Sequence, residues 1–247
     1  VSPSSDRLVV THAVILRRKP WRENSFLLEV FSPDLGRTTV IAQGARREQS
    51  AGETEPLTEY ELTLYKSSGP YFLRGSHLVR GFRRNYQSDT VMYAACELYE
   101  QLILSPEDAP AFWELLVQFF DYVRSVERHP IAIFWRFALR VCHLLGVDLD
   151  IEHCTACGAT DAPWAAYLPL RSGLLCRECL PRVAEANVLP LSKTTSRLLH
   201  DLPHIGNVLR EVDIADESIQ QVNRMLLVHL ASHFHKPFHV KSLQLYG

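Results

Sequence analysis

Over about the first 80 residues, apolar and polar positions alternate in short runs, the period of strands with one buried face. Residues 8–16 are rich in Val, Ile and Thr. Residues 25–31 are apolar and end at Ser32-Pro33-Asp34-Leu35-Gly36, where Pro presets one backbone angle and Gly accepts a left-handed one. The β pattern resumes over residues 37–42. Over residues 57–65 it sets Leu57, Tyr60, Leu62 and Leu64 among polar neighbours. After the turn Ser67-Ser68-Gly69-Pro70, residues 71–79 read as a fifth strand. Five short strands without a strong helix predict a small barrel such as the OB-fold. Between the third and fourth strands, residues 43–56 form a polar loop that begins Gln43-Gly44-Ala45-Arg46-Arg47 and carries Glu53 and Glu55 near its end. Loops of this length in small barrels are functional or mobile segments.

Beyond the barrel the period lengthens to that of helices. Ser88-Asp89 can cap a helix to about residue 104 with Val91, Ala94, Ala95, Leu98 and Leu102 on one face. A second helix, over residues 110–126, turns Leu115, Leu116, Phe119, Phe120 and Val123 inward. His129-Pro130 opens a third, with Pro at the first helical position and Gly146 as its stop. Helices are also expected over residues 193–202 and 216–235, and residues 238–246 alternate enough for a strand or an extended arm.

This helical stretch is interrupted by Cys154 and Cys157, then eighteen residues, then Cys176 and Cys179. Two Cys-x2-Cys pairs at that spacing can close a tetrahedral shell around one zinc ion. Gly158 follows the first pair, and residues 164–175 read as a hairpin between the two, the outline of a zinc ribbon. Four thiolates leave no open position for water or substrate, so the expected zinc is structural. Neither pair has the flanking pattern of a thioredoxin-type redox site. Cys96 and Cys142 lie in apolar helical stretches and read as inert core thiols. His229 and His233 are one helical turn apart, but no Glu follows His229 as in a zinc-protease helix, so surface or half-buried histidines are expected rather than a second metal site.

Composition adds to this picture. The chain has 247 residues, enough for a sizeable core in one or two domains. No apolar run reaches transmembrane length and no signal peptide is read. A metal quartet with two core thiols suits a reducing cytosol. The net charge of -2 is uneven. Residues 1–85 hold 13 Lys+Arg against 9 Asp+Glu, a net of +4, and residues 86–247 hold 13 against 19, a net of -6. A basic front half is compatible with a polyanionic partner there. No phosphate-binding Gly-x4-Gly-Lys-[Ser/Thr] loop, nucleophile–base pair or paired metal carboxylates appear, so an enzyme is not expected.

The five-strand module with Ile41-Ala42-Gln43-Gly44-Ala45-Arg46-Arg47 and Ser50 after its third strand, the helices, the four-cysteine ribbon and a late Lys241-Ser242-Leu243 occur together. In that order they resemble the RecO family of bacterial DNA repair and recombination mediators, over nearly the whole chain. The resemblance implies an α+β protein: an OB-fold domain over residues 1–84, then a helical domain over 85–247 with a zinc ribbon inserted at 153–181. It implies binding of single- and double-stranded DNA, annealing of complementary strands, and help in loading RecA onto coated single strands. The implied partners are RecR and the acidic tail of single-strand-binding protein. A protein monomeric when free, cytoplasmic and associated with the nucleoid is expected. The candidate DNA contacts are Arg17, Arg18, Arg37, Arg46, Arg47, Lys66 and Arg74, because arginine and lysine neutralise phosphates and release counterions. Trp21 or Tyr71 could stack on bases. The alternative is a protein–protein adaptor with little DNA affinity of its own.

Overall fold

The computed structural model describes residues 7–45, 54–185 and 187–246. The chain divides into two compact units, residues 1–125 and residues 126–247.

The first unit is built on five strands, β1 (Leu8–Trp21), β2 (Ser25–Ser32), β3 (Gly36–Ala42), β4 (Thr58–Tyr65) and β5 (Tyr71–Gly81). They close into a barrel in the order β1-β2-β3-β5-β4, the five-stranded Greek-key barrel of the OB-fold. All the ladders are antiparallel except β3–β5, a parallel seam of two residue pairs, Val40 with Tyr71 and Ile41 with Phe72. The inward residues fill the interior: Ala13 and Ile15, Leu28 and Val30, Val40 and Ala42, and Tyr60, Leu62 and Leu64. β1 outruns the strand predicted from hydrophobicity, because its polar end, Arg17 to Trp21, continues the ladder with β2 from Glu29 to Ser25. A bulge between Ile15 and Arg17 marks the change.

Two helices, α1 (Tyr86–Gln101) and α2 (Ala109–Ser125), belong to the same unit. They cover apolar residues that the barrel turns outward. Phe31 meets Tyr99 of α1 edge-on at 5.1 Å, and Phe82 meets Phe120 of α2 at 5.1 Å. The cap of α1 is Asn85, whose side chain accepts from the Ser88 amide, so the helix starts earlier than Ser88-Asp89 suggests. Asp89 instead accepts from the Arg83 guanidinium and the Arg84 amide.

The second unit starts with α3 (Pro130–Leu144), preceded by His129 in the left-handed conformation. Gly146 ends it at φ +68°. Four short strands follow, β6 (Asp150–Cys154), β7 (Trp164–Leu168), β8 (Gly173–Cys176) and β9 (Leu189–Pro190), in the sheet order β6-β8-β7-β9. Then come α4 (Lys193–Asp201), a single turn α5 (Ile205–Val208) and the long α6 (Asp216–Phe234). Ser192 caps α4 by accepting from the Thr195 amide. The indole of Trp135 on α3 donates to Asn223 Oδ1 on α6 at 2.8 Å, which satisfies both buried groups. The tail buries Phe238, Val240 and Leu243 but ends in a tight 3-10 turn over Lys241–Leu245 instead of a strand.

Candidate metal centre and cationic barrel face

β6 ends on Cys154 and β8 on Cys176, and each strand runs into a tight turn that carries its second cysteine. In the first turn the Gly158 amide donates to the Cys154 carbonyl at 2.8 Å, and Gly158 takes φ +73°, the left-handed angle that favours glycine. In the second the Cys179 amide donates to the Cys176 carbonyl. The parallel pairing of β6 with β8 sets the two turns side by side. Gly173, at the start of β8, permits this closeness. A Cβ there would lie 2.5 Å from Thr155 Cγ2 and 3.2 Å from the Asp150 carbonyl oxygen.

The four Sγ atoms lie within 4.8 Å of one another, and Cys157 Sγ is 3.9 Å from Cys176 Sγ. Sulfurs at the corners of a tetrahedron about 2.3 Å from a zinc ion stand about 3.8 Å apart. The four cysteines are thus positioned to bind a metal ion, and the all-sulfur set fits zinc. Their protonation supports this. Burial pushes the Cys154 thiol up, but amide donors led by that of Cys176 outweigh it and bring it down to about 6. Hydrogen bonding to the Cys176 and Cys157 sulfurs pushes Cys179 up to about 12. One thiol is thus favoured as the thiolate while its neighbour is held protonated, and a bound cation would let both ionise. Away from the cluster, burial raises both other thiols, Cys142 to about 12 and Cys96 higher still, as expected of inert core cysteines.

His229 is fully buried, not at the surface. Its Nε2–H donates to the Val147 carbonyl at 2.7 Å, so Nδ1 is left to accept from the Tyr167 hydroxyl at 2.8 Å. The ring thus joins α6 to β7 and to the segment before β6. Burial, first, holds its pKa below the ordinary histidine value, and the neighbouring His233 adds to the effect. His233 Nε2 lies 2.8 Å from the Ser172 hydroxyl. Both histidines support the ribbon sheet structurally.

The cations picked out as DNA contacts fall into distinct groups. Arg17 forms an ion pair with Glu100 of α1, its Nε donating to Oε1 at 2.7 Å. Arg18 pairs with Glu55 at 2.9 Å and lies over the Phe26 ring. These partners are remote in sequence, which is why the basic run at Arg17-Arg18-Lys19 looks more available than it is. Arg37 is exposed on β3, beside an open depression of about 530 Å³ that Tyr71 and Pro70 also line. Lys66 is exposed after β4, and Arg74 is exposed on β5 with its guanidinium 5.2 Å from the centre of the Tyr65 ring. Trp21 is 40% exposed at the far end of β1. Arg46 and Arg47 lie outside the described residues. Arg7 and Tyr65 escape a reading of the sequence, because Tyr65 looks like one more strand residue. Here the Arg7 guanidinium donates to its hydroxyl at 3.1 Å.

Known families match along almost the whole chain. Residues 7–82 match the family model described as Recombination protein O N terminal, and residues 83–242 that described as Recombination protein O C terminal. The DNA repair protein RecO of Alkaliphilus metalliredigens is 24% identical over 233 residues, covering 90% of this chain and 94% of the relative. That of Oceanobacillus iheyensis is 24% identical over 224 residues, 86% of this chain and 83% of the relative. That of Erwinia tasmaniensis is 31% identical over 173 residues, 63% of this chain and 64% of the relative. Among the described residues no helix is long and apolar enough to cross a membrane.

Proposed function

The chain belongs to the RecO family of DNA repair proteins, and from that premise we propose that it binds single- and double-stranded DNA and anneals complementary strands. With RecR it helps to load RecA onto single strands coated by single-strand-binding protein, whose acidic tail it contacts. It works as a mediator without catalysing a reaction, in the cytoplasm near the nucleoid, and is monomeric when free. The functional division follows the barrel: residues 1–84 handle DNA and residues 85–247, with the ribbon at 153–181, support them and dock partners.

The observation that carries this reading is an OB-fold barrel with exposed cations that have no described carboxylate partner: Arg37, Lys66 and Arg74. Phosphate neutralisation releases counterions and drives sequence-independent binding, which an annealing protein needs. Arg46 and Arg47, outside the described residues, extend the cationic set in the sequence. Arg17 and Arg18 contribute only where DNA displaces Glu100 and Glu55. The four cysteines hold one structural zinc ion. That ion would complete the fold of the ribbon, with no position left for chemistry.

A second reading, a protein adaptor with little DNA affinity, is favoured by one feature. Beside α6 and residues 237–244 runs an open groove of about 480 Å³, lined by Leu227, Val228, Phe238, Val240 and Leu243. A salt-titrated binding and annealing assay with complementary single strands separates the two readings. Annealing that weakens steeply with salt is expected, and Arg46→Ala with Arg47→Ala should flatten the slope equally for all sequences. No binding even at low salt would select the adaptor.

A further inference from the structure

The outward face of β1, β4 and β5 carries an arrangement that neither the core nor the ion pairs require. Across these three strands, Leu8, Tyr65 and Phe72 are direct partners, so their side chains share one row. The next row is Val10, Thr63 and Gly75. Leu8 and Val10 are 44% and 60% exposed among the described residues, unlike Phe31, which α1 covers through Tyr99. The neighbouring row is thus low and open beside an aromatic pair.

Two cations meet Tyr65. Arg7 donates to its hydroxyl, and Arg74 lies over its ring. The position of Arg74 has a specific cause. Leu64 pairs with Leu73 and Thr63 with Gly75, so Arg74 is the extra residue of a β-bulge. Bulges re-aim side chains, and this one turns a guanidinium over the neighbouring aromatic ring. The face of that ring is therefore reachable by a planar group. The nearest described carboxylate along β4 is Glu61, which is flanked across the ladders by His12 and His77. The opposite end of β1 differs: Arg17 and Arg18 already have carboxylate partners.

Phosphates need cations without carboxylate partners, and unpaired bases need an exposed π-face. We propose that this face, with Tyr65 and Phe72 at its centre and Arg7 and Arg74 beside Tyr65, is a base-stacking site for single-stranded nucleic acid. A base stacks on Tyr65 in place of Arg74 or sandwiched beneath it, and the displaced or capping guanidinium pairs with a phosphate. Bases stacked inside a duplex present no free face, so the site favours single strands. The proposal rests on the DNA-binding reading above and gives it a location.

The test uses the full-length protein, an oligothymidylate and an abasic oligonucleotide of the same length, with binding followed by fluorescence anisotropy. The wild type should prefer the oligothymidylate. Tyr65→Leu, which keeps an apolar cover, should lose about tenfold in affinity for it and bind both ligands alike. Tyr65→Trp should restore the preference. Arg7→Gln with Arg74→Gln should weaken both ligands and flatten the salt slope by about two phosphate contacts. These exposed arginines carry the test if Tyr65→Leu lowers the melting temperature. Wild-type affinity and preference in all the variants would overturn the site while leaving DNA binding intact. Failure of the wild type to bind either ligand would overturn the DNA-binding reading and the site together. Unchanged DNA binding with loss of a protein partner would assign the face to protein docking and overturn the proposal.

Discussion

The barrel over β1 to β5 and the ribbon sheet over β6 to β9 are both made of short strands, yet they are held in different ways. In the barrel every strand has two neighbours, and a filled interior of Ile15, Leu28, Val30, Val40, Leu62 and Leu64 supports the ladders. The ribbon is open, and its strands have between two and five residues. What gathers its end is a cluster of four sulfurs, with His229 on α6 bracing the sheet through Tyr167 of β7. Sheets this small do not hold their shape on backbone pairing alone. The barrel is thus stabilised by an interior of its own, whereas the ribbon buries β7 and β8 and adds four cysteines positioned to bind a metal ion.

Removing a metal ligand tests this contrast most severely. Cys176→Ser should abolish stoichiometric metal and strip amide-exchange protection from residues 150–190. The loss is large, since structural zinc sites in small modules supply on the order of 10 kcal/mol. Protection within residues 8–81 should persist, and its collapse along with that of the ribbon would end the distinction. The mirror experiment is Leu62→Ala in the barrel interior. Urea unfolding should show a loss of about 2–5 kcal/mol, while metal content stays at the wild-type level.

The buried histidine gives a smaller, pH-dependent effect. His229 has a lower pKa folded than unfolded, so between those values the unfolded chain binds the extra proton. Its contribution to stability is complete above about pH 6.5 and shrinks as pH falls towards the folded-state value. Thermal midpoints from pH 8 to pH 5 should decline, and His229→Gln should flatten the decline. A residual slope is expected from His129, which burial also depresses. The smallest effect is expected at the barrel surface. Arg17→Gln, which breaks the pair with Glu100, should cost less than about 1 kcal/mol. It should leave the salt slope of DNA binding nearly unchanged, unlike changes at Arg7 and Arg74.

Much of the barrel is legible in the sequence, because strand alternation and the turns at Ser32–Gly36 and Ser67–Pro70 are local signals. The cysteine quartet is legible for the same reason: metal geometry imposes its spacing directly on the chain. What the sequence conceals is pairing at long range. Nothing near Arg17 reveals that Glu100 neutralises it, and nothing near His229 reveals Tyr167 and Val147. The bulge that presents Arg74 is equally hidden, since it exists only as a register difference between β4 and β5. Asn85 replaces Ser88-Asp89 as the α1 cap because Arg83 and Arg84 engage Asp89. The 3-10 turn at the tail shows the limit of alternation as a signal, since Phe238 and Val240 are buried without any strand.

The two-pair parallel seam between β3 and β5 has a kinetic consequence. Hairpins such as β1–β2 and β4–β5 join chain neighbours and form quickly, whereas ring closure at the seam joins strands separated by a long excursion and gains only a few hydrogen bonds. Closure is therefore expected late in folding, and the seam should be where a folded barrel first opens. Hydrogen exchange at the amides of Val40, Ile41 and Tyr71 should report that opening first, the last of them on the strand that carries Arg74 and one residue from Phe72, the partner of Tyr65.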